Sequence, residues 1–408
     1  MPNIFPPELV KRIVRRTGTP VYIYSQKKIL QNLNSYKKAF SALEPLFCYA
    51  MKANSNGAVA GLLAKNGAGA DVVSGGELYR ALKAGFEPGK IIFSGVGKTA
   101  QEISYALRSG LLFINVESLE ELRAVEAAAA GMKVKAPVSV RINPDVDPHT
   151  HKFITTGTLG TKFGVTFSEA GRLYAIVAAS RHLRAVGLHF HLGSQIYSPK
   201  PYLLALSAAG KFIGSLEQKG VKLSYIDIGG GWGVKEGGGM LPPALLAGAV
   251  HRELNGLKDL RLILEPGRSL VASAGALVVK TLYRKTSGAK NYIITDGAMN
   301  DFIRPALYGA RHPVTALEKR KGPDVKFDVT GPVCESGDFL AREARLPLPR
   351  RGGLLLILSA GAYGFSMSSQ YNSRPRAAEV LITGPRSWRL IRRRETRRDL
   401  IRNEIQIP

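Results

Sequence analysis

From position 46 to position 265 the sequence alternates eight times between a short apolar run of strand length and a longer stretch with helical periodicity. The runs are residues 46–51, 71–74, 91–94, 113–116, 138–142, 186–191, 225–228 and 261–265. Strands buried on both faces read as continuous apolar runs, and parallel neighbours need a crossover helix between them. Eight such units over roughly 230 residues is the period of a TIM (β/α)8 barrel. A doubly wound sheet uses the same units, but polar residues at each strand's C-terminal end suit a barrel mouth better.

After about position 275 the texture changes. Runs at 277–284, 292–295, 325–329, 354–358, 379–382 and 388–391 are strand-like, with Gly and Pro turns between them and few long helical patterns. This reads as an all-β domain. An early strand at 21–24, between helical stretches at 7–16 and 27–43, is a candidate to join it. The expected division is an N-terminal segment 1–30 belonging to the β domain, a barrel over 31–273, and a C-terminal β domain over 274–408.

Composition narrows the class. The chain has 408 residues and 45% hydrophobic content, with no apolar run near the roughly 18 residues of a membrane helix. Its start, Met1-Pro2-Asn3-Ile4-Phe5, lacks the basic-then-apolar pattern of a signal peptide. Cys48 and Cys334 are the two cysteines, far apart in sequence, which is neither a disulfide framework nor a metal cluster. A reduced, cytoplasmic setting is the expectation. The net charge of +26 includes eight arginines between Arg386 and Arg402, but no nucleic-acid recognition motif accompanies it. A solvated basic face is the simpler reading, and its field would attract a substrate bearing carboxylates.

The strand ends carry the chemistry. Lys52 follows the first run, where a partly desolvated amine can form a Schiff base, although a lysine snorkelling out of a strand end is the plain alternative. Asp71 and Ser74 sit on the second, and Arg141 and Asn143 close the fifth. His191 and Ser194 follow the sixth, in His189-Phe190-His191-Leu192-Gly193-Ser194-Gln195. Gly229, Gly230 and Gly231 follow Asp227 on the seventh, where glycines allow a close approach to an anion. With Ser194 and Gly267 they make a phosphate cup, while a dinucleotide reading fails for want of an acidic ribose ligand. Glu265, ending the eighth run, is costly to bury unless paired. Its partner is either Arg268 or a protonated pyridine nitrogen. His191 is either a satisfied core histidine or a ring stacked on a planar cofactor.

Taken together, Y-A-M-K-A-N at Tyr49–Asn54, H-F-H-L-G-S-Q at His189–Gln195, D-I-G-G-G at Asp227–Gly231, E-P-G-R at Glu265–Arg268 and G-P-V-C-E-S-G-D at Gly331–Asp338 resemble the fold-type III pyridoxal-phosphate (PLP) decarboxylases. The run G-A-Y-G-F-S-M-S-S-Q-Y-N-S-R-P-R, residues 361–376, resembles the diaminopimelate decarboxylase branch in particular. The motifs keep the family's order and span nearly the whole chain. The resemblance implies an alanine racemase-like fold, pyridoxal 5'-phosphate as cofactor, no metal, and a homodimer with shared active sites.

Residue by residue it implies Lys52 as the lysine carrying the cofactor as an internal aldimine, with Asp71 near it. It implies His191 stacked on the ring, Glu265 on the ring nitrogen, and Ser194, Gly229, Gly230, Gly231, Gly267 and Arg268 around the phosphate. Cys334 matches the general acid supplied by the partner subunit, and Tyr363 a residue touching cofactor and substrate. Arg268, Arg304, Tyr308 and Glu335 match substrate-binding positions. The implied activity is decarboxylation of meso-diaminopimelate to L-lysine and carbon dioxide. Relatives acting on carboxynorspermidine, ornithine or arginine are the enzymatic alternative, and a non-catalytic regulatory homologue is the alternative outside catalysis. Guanidinium forks suit a distal carboxylate and Glu335 a distal ammonium, which favours the diaminopimelate reading. Gln370, where the family usually has asparagine, the altered segment 151–164 and the arginine-rich end depart from the pattern.

Overall fold

The computed structural model describes residues 4–147, 157, 160–235, 240–254, 259–318 and 322–405. The segment 151–164 singled out above lies largely outside them. The chain forms two compact units, one of Leu33–Gly233 and Leu241–Gly267, the other of Met1–Asn32, Val234–Met240 and Arg268–Pro408.

The second of these begins with an amphipathic helix, Pro7–Thr17, started by Pro7 in its first turn, and with strand β1, Val21–Ser25. Every residue of β1 is buried.

The other unit is a closed parallel barrel of β2 (Leu46–Ala50), β3 (Gly69–Val72), β4 (Ile91–Phe93), β5 (Phe113–Val116), β6 (Ala136–Arg141), β7 (Leu183–His189), β8 (Tyr225–Asp227) and β9 (Arg261–Leu264). The (β/α)8 expectation holds, and β9 closes on β2 with Leu46 opposite Ile263. Leu46, Cys48, Ile92, Phe113, Val186 and Ile263 pack as one apolar cluster drawn from five of these strands. Cys48 is therefore a core residue, its thiol pushed well up by burial.

Helix starts are set by local side-chain chemistry. Ser74, Thr99, Ser118 and Thr166 each accept a hydrogen bond from the backbone N–H of a glutamate three residues on. That satisfies an otherwise orphaned donor of the first turn, worth about 1 kcal/mol per cap. Ser74 thus belongs to the cap of helix Gly75–Ala84, not to the second strand, which ends at Val72.

The mostly β unit is completed by β10 (Gly275–Ser287), β11 (Lys290–Thr295), β12 (Val314–Ala316), β13 (Asp324–Thr330), β14 (Phe339–Pro347), β15 (Leu354–Leu358), β16 (Ala378–Ile382) and β17 (Trp388–Arg392). β1 lies inside this sheet, antiparallel to β10 and parallel to β16. β12 and β14 were not legible as strands: one is a three-residue edge, the other alternates with charge and is broken by register shifts. The core of this unit joins Leu9, Val10 and Ile13 of the first helix to Val21, Ile23, Val278, Leu356 and Val380. Part of the basic C-terminal end is structural, since Arg392 pairs with the fully buried Glu379, and Arg394 donates to the Thr17 and Pro20 carbonyls. Among the described residues no helix is long and apolar enough to cross a membrane.

Candidate active site

The barrel's first strand delivers an amine onto a buried acid. β2 pairs with β3 so that Ala50 stands opposite Asp71, and a single 3-10 turn, Met51–Ala53, carries the chain out. Lys52 Nζ donates to Asp71 Oδ2 at 2.9 Å, with Asp71 fully buried. Glu77, one turn into the next helix, accepts from the Val73 N–H at 3.0 Å, and burial pushes its carboxyl up to about 7.

A second cluster forms where β7, β8 and β9 end, β9 being the neighbour of β2 that closes the barrel. His189, Asp227 and Glu265 are all buried, with a ligating atom of each within 4.8 Å of the others. Burial raises the pKa of both Asp227 and Glu265; the Asp227 and Asp71 charges raise Glu265 further, while hydrogen bonds from the Gly229 N–H and with Glu265 hold Asp227 back. His189 Nε2 lies 3.4 Å from Glu265 Oε1. Burial and then the Arg141 charge hold its imidazole neutral. His191, two residues on, is partly exposed, and its Nδ1 accepts from the Gly230 N–H at 3.0 Å.

The glycine turn packs against both groups. Asp227 Oδ1 accepts from the Gly229 N–H at 2.9 Å, so the N–H groups of Gly229 and Gly230 are both engaged within the protein. The N–H groups of Gly231 and Gly267 have no acceptor among the described residues. What the glycines provide in common is absence of a Cβ. One on Gly229 would lie 2.6 Å from His191 Nδ1, on Gly267 2.9 Å from Ala50 Cβ, and on Gly230 or Gly231 it would collide with the carbonyl oxygen of Glu265 or Gly193. Gly229 and Gly231 also take φ of 68° and 99°, where a side chain is strained. Ile196 N–H donates to the Gly231 carbonyl at 2.9 Å, stitching the segment that holds half-buried Ser194 to this turn.

The β unit assembles a separate set. Arg304 begins the short helix Arg304–Tyr308 and is 8% exposed. Its guanidinium lies 5.6 Å from the Tyr308 ring and 6.0 Å from the Tyr363 ring, and Arg268 lies 4.6 Å from the same Tyr363 ring. Burial, then the neighbouring Arg268 charge, lowers the Arg304 pKa to about 9. No carboxylate of a described residue pairs with Arg304. An ion pair with Asp301, the plain alternative for this arginine, is not formed; Asp301 is buried and accepts from the Ala298 N–H.

Cys334 and Glu335 are exposed on the turn between β13 and β14. Asp338 holds that turn by accepting from the Met299 and Val333 N–H groups, at 2.7 and 2.9 Å. Asn372 Oδ1 accepts from the Cys334 N–H at 2.8 Å, and the Tyr371 hydroxyl lies 3.3 Å from Glu335 Oε2.

The family described as "Pyridoxal-dependent decarboxylase, pyridoxal binding domain" matches residues 26–272. A diaminopimelate decarboxylase of Pseudomonas aeruginosa is 46% identical over 98% of this chain and 96% of its own length. The crystal structure of diaminopimelate decarboxylase from Helicobacter pylori complexed with L-lysine superposes with a TM-score of 0.93 at 43% identity, over 97% of this chain and 99% of that one. The diaminopimelate decarboxylase from M. jannaschii in co-complex with L-lysine gives 0.92 at 36% identity, over 98% and 94%.

The chain belongs to the diaminopimelate decarboxylase family. Its members are PLP-dependent carboxy-lyases, and its cofactor is pyridoxal phosphate. The barrel fits that group. Glu265 Oε1 is buried with no hydrogen-bond partner among the described residues, the acceptor a protonated ring nitrogen requires. A cation there also relieves the repulsion that raises the Glu265 pKa. Lys52 offers an amine, and the two unengaged glycine N–H groups offer donors to an anion.

For a diaminopimelate decarboxylase family member the motifs missed one buried network. Glu117, 2% exposed in its side chain, receives Arg141 Nη1 at 3.1 Å and the N–H groups of Gly95 and Gly164 at 3.2 and 3.0 Å. Beside it Lys98 and Glu121 pair at 2.6 Å, also buried. Glu117 directly follows β5, so the strand-end rule that found Lys52 and Asp71 applies to it as well.

Proposed function

We propose that the chain removes one carboxylate of meso-2,6-diaminopimelate, releasing carbon dioxide and leaving L-lysine, the last step of lysine biosynthesis. The observation that carries this reading is Arg304, a desolvated guanidinium with a second guanidinium near it and no carboxylate partner among the described residues. An anionic ligand stabilises such a group, and a planar carboxylate matches its geometry. The relatives solved with L-lysine support it, since the product keeps the distal amino-acid centre of the substrate.

In this reading Lys52 Nζ is the atom that holds the cofactor, with Asp71 beside it as counter-charge. Glu265 keeps the ring nitrogen protonated and His191 stacks on the ring. Ser194, Gly231, Gly267 and Arg268 hold the phosphate, while Gly229 and Gly230 keep the turn thin enough to approach it. When bound, pyridoxal phosphate supplies the electron sink that decarboxylation needs. The carbon that loses carbon dioxide must gain a proton, and Cys334 Sγ–H supplies it from the second subunit of a homodimer. The exposure of Cys334 and Glu335 in the single chain supports that placement. Arg268, Arg304 and Tyr308 take the distal carboxylate, Glu335 the distal ammonium, and Tyr363 touches both substrate and cofactor. The setting is cytoplasmic.

The test is lysine release from meso-diaminopimelate by the purified holoenzyme, with L-ornithine and L-arginine in parallel. Lysine formed from meso-diaminopimelate alone is the expected result. Turnover of ornithine or arginine at a comparable rate overturns the substrate reading.

A further inference from the structure

Arg304 is held by a residue that no motif singled out. Its Nε donates to His312 Nε2 at 3.3 Å, and His312 Nδ1 lies 3.0 Å from the Leu358 carbonyl oxygen. A carbonyl only accepts, so Nδ1 must carry the hydrogen. A guanidinium Nε–H only donates, so Nε2 must carry the lone pair. The two contacts together admit one protonation state, the neutral Nδ1–H tautomer. Burial and the Arg304 charge act in the same direction, lowering the His312 pKa to about 3.

The ring has little freedom to leave that position. It stands edge-on to the buried Phe302, with centroids 4.6 Å apart at 75°. Leu358 ends β15, which is paired on both sides, to β10 and to β12. Leu358 N–H donates in turn to the Pro313 carbonyl at 2.8 Å, so the His312–Pro313 segment and the end of β15 are tied at two points.

We infer that His312 is a positioning residue that sets the plane of Arg304 and, through it, the selectivity for a distal carboxylate. By occupying the Nε edge it reserves the opposite edge, Nη1 and Nη2, which has no hydrogen bond to any described residue. A carboxylate is then met end-on by two parallel N–H groups, the bidentate geometry that separates arginine from a mere positive charge. The inference rests on the proposal that Arg304 takes the distal carboxylate of the substrate.

The experiment compares binding of L-lysine and of cadaverine to the holoenzyme by titration calorimetry. Cadaverine is the same five-carbon diamine chain without the carboxylate. His312→Phe keeps a ring against Phe302 but has no acceptor for Arg304, and His312→Asn keeps a donor for Leu358 but cannot reach Arg304. Both should weaken L-lysine about tenfold and leave cadaverine within about twofold, since only L-lysine carries the carboxylate that the oriented guanidinium meets. His312→Gln, with an amide oxygen near the Nε2 position, should recover most of the loss. Arg304→Ala is the control for the underlying reading. If Arg304→Ala weakens L-lysine selectively and the His312 variants do not, the positioning role is overturned while the proposed substrate stands. If Arg304→Ala leaves the preference for L-lysine over cadaverine intact, the carboxylate reading fails and the inference with it. Equal weakening of both ligands by His312→Phe and His312→Asn means a general packing role and also overturns it.

Discussion

Lys52 Nζ sits 2.9 Å from Asp71 Oδ2, with the acid sealed in the barrel and the lysine side chain keeping 35% of its surface exposed. The asymmetry suits a reactive amine: the counter-charge is fixed by the fold while the nitrogen stays reachable. Full burial of the pair would carry a heavy desolvation cost, and full exposure would screen it.

Lys52→Ala should lose the visible absorbance of bound cofactor along with at least about 10³-fold in turnover, the loss typical when a covalent catalytic group is removed. Circular dichroism should show the secondary structure retained. A variant with the full cofactor band would remove Lys52 from the role given to it.

Cys334→Ala should bind cofactor normally, because Cys334 is exposed on a turn held by Asp338 and Asn372 through backbone contacts. Its turnover should fall roughly 10²–10⁴-fold, the worth of a placed general acid. Mixing it with Lys52→Ala under conditions of subunit exchange should restore about a quarter of wild-type activity, as a two-fold dimer with shared sites requires. Confirmed exchange without recovery would place Cys334 in its own subunit's chemistry or in none.

Gly230→Ala tests the thin turn. The new Cβ would collide with the Glu265 carbonyl oxygen, a backbone atom that cannot rotate away. Overpacking of this kind costs about 1–3 kcal/mol. Urea unfolding should show a loss in that range, and dialysis should strip the cofactor faster than from wild type.

Asp301 gives a pH-dependent stability with a defined sign. Burial raises its carboxyl from 3.8 to about 7 in the folded chain. Between those values the folded state holds a proton that the unfolded state has lost, so stability falls as pH rises from about 4 to about 7 and levels off above. Roughly three pH units at about 1.4 kcal/mol each set an upper scale on the order of 4 kcal/mol. Asp301→Asn should flatten that part of the curve, so the variant gains on wild type as pH rises. A constant difference between the two from pH 4 to 8 would show that Asp301 does not titrate in this range.

The barrel was legible because its strands are buried on both faces and so read as unbroken apolar runs, each closed by a polar residue at the mouth. Lys52, Asp71, His191 and Glu265 were found by that rule. The same rule misplaced Ser74, because a serine after a strand and before a glutamate at the third helical position serves equally as a helix cap. In the β unit, β14 hid because its sequence, FLAREARLP, carries three charges on a strand whose register shifts twice against β13. His312 was illegible for a different reason. Its function depends on Leu358, 46 positions away, and no local pattern encodes a contact made by the return of a distant strand. Glu117 was available to the rule and was passed over because no motif includes it.

β1 lies between β10 and β16, so its backbone waits for partners at residues 275–278 and 378–382. On a ribosome it emerges about 250 residues before the first of them, on the order of tens of seconds at 5–20 residues per second. For that interval the nascent chain carries an open strand, Val-Tyr-Ile-Tyr-Ser, with no neighbour on either side. Unpaired apolar edges of this kind are what holding chaperones bind and what recruits other chains into aggregates. Slower translation lengthens the wait, so the yield of folded protein should fall as elongation slows and recover when chaperone supply is raised.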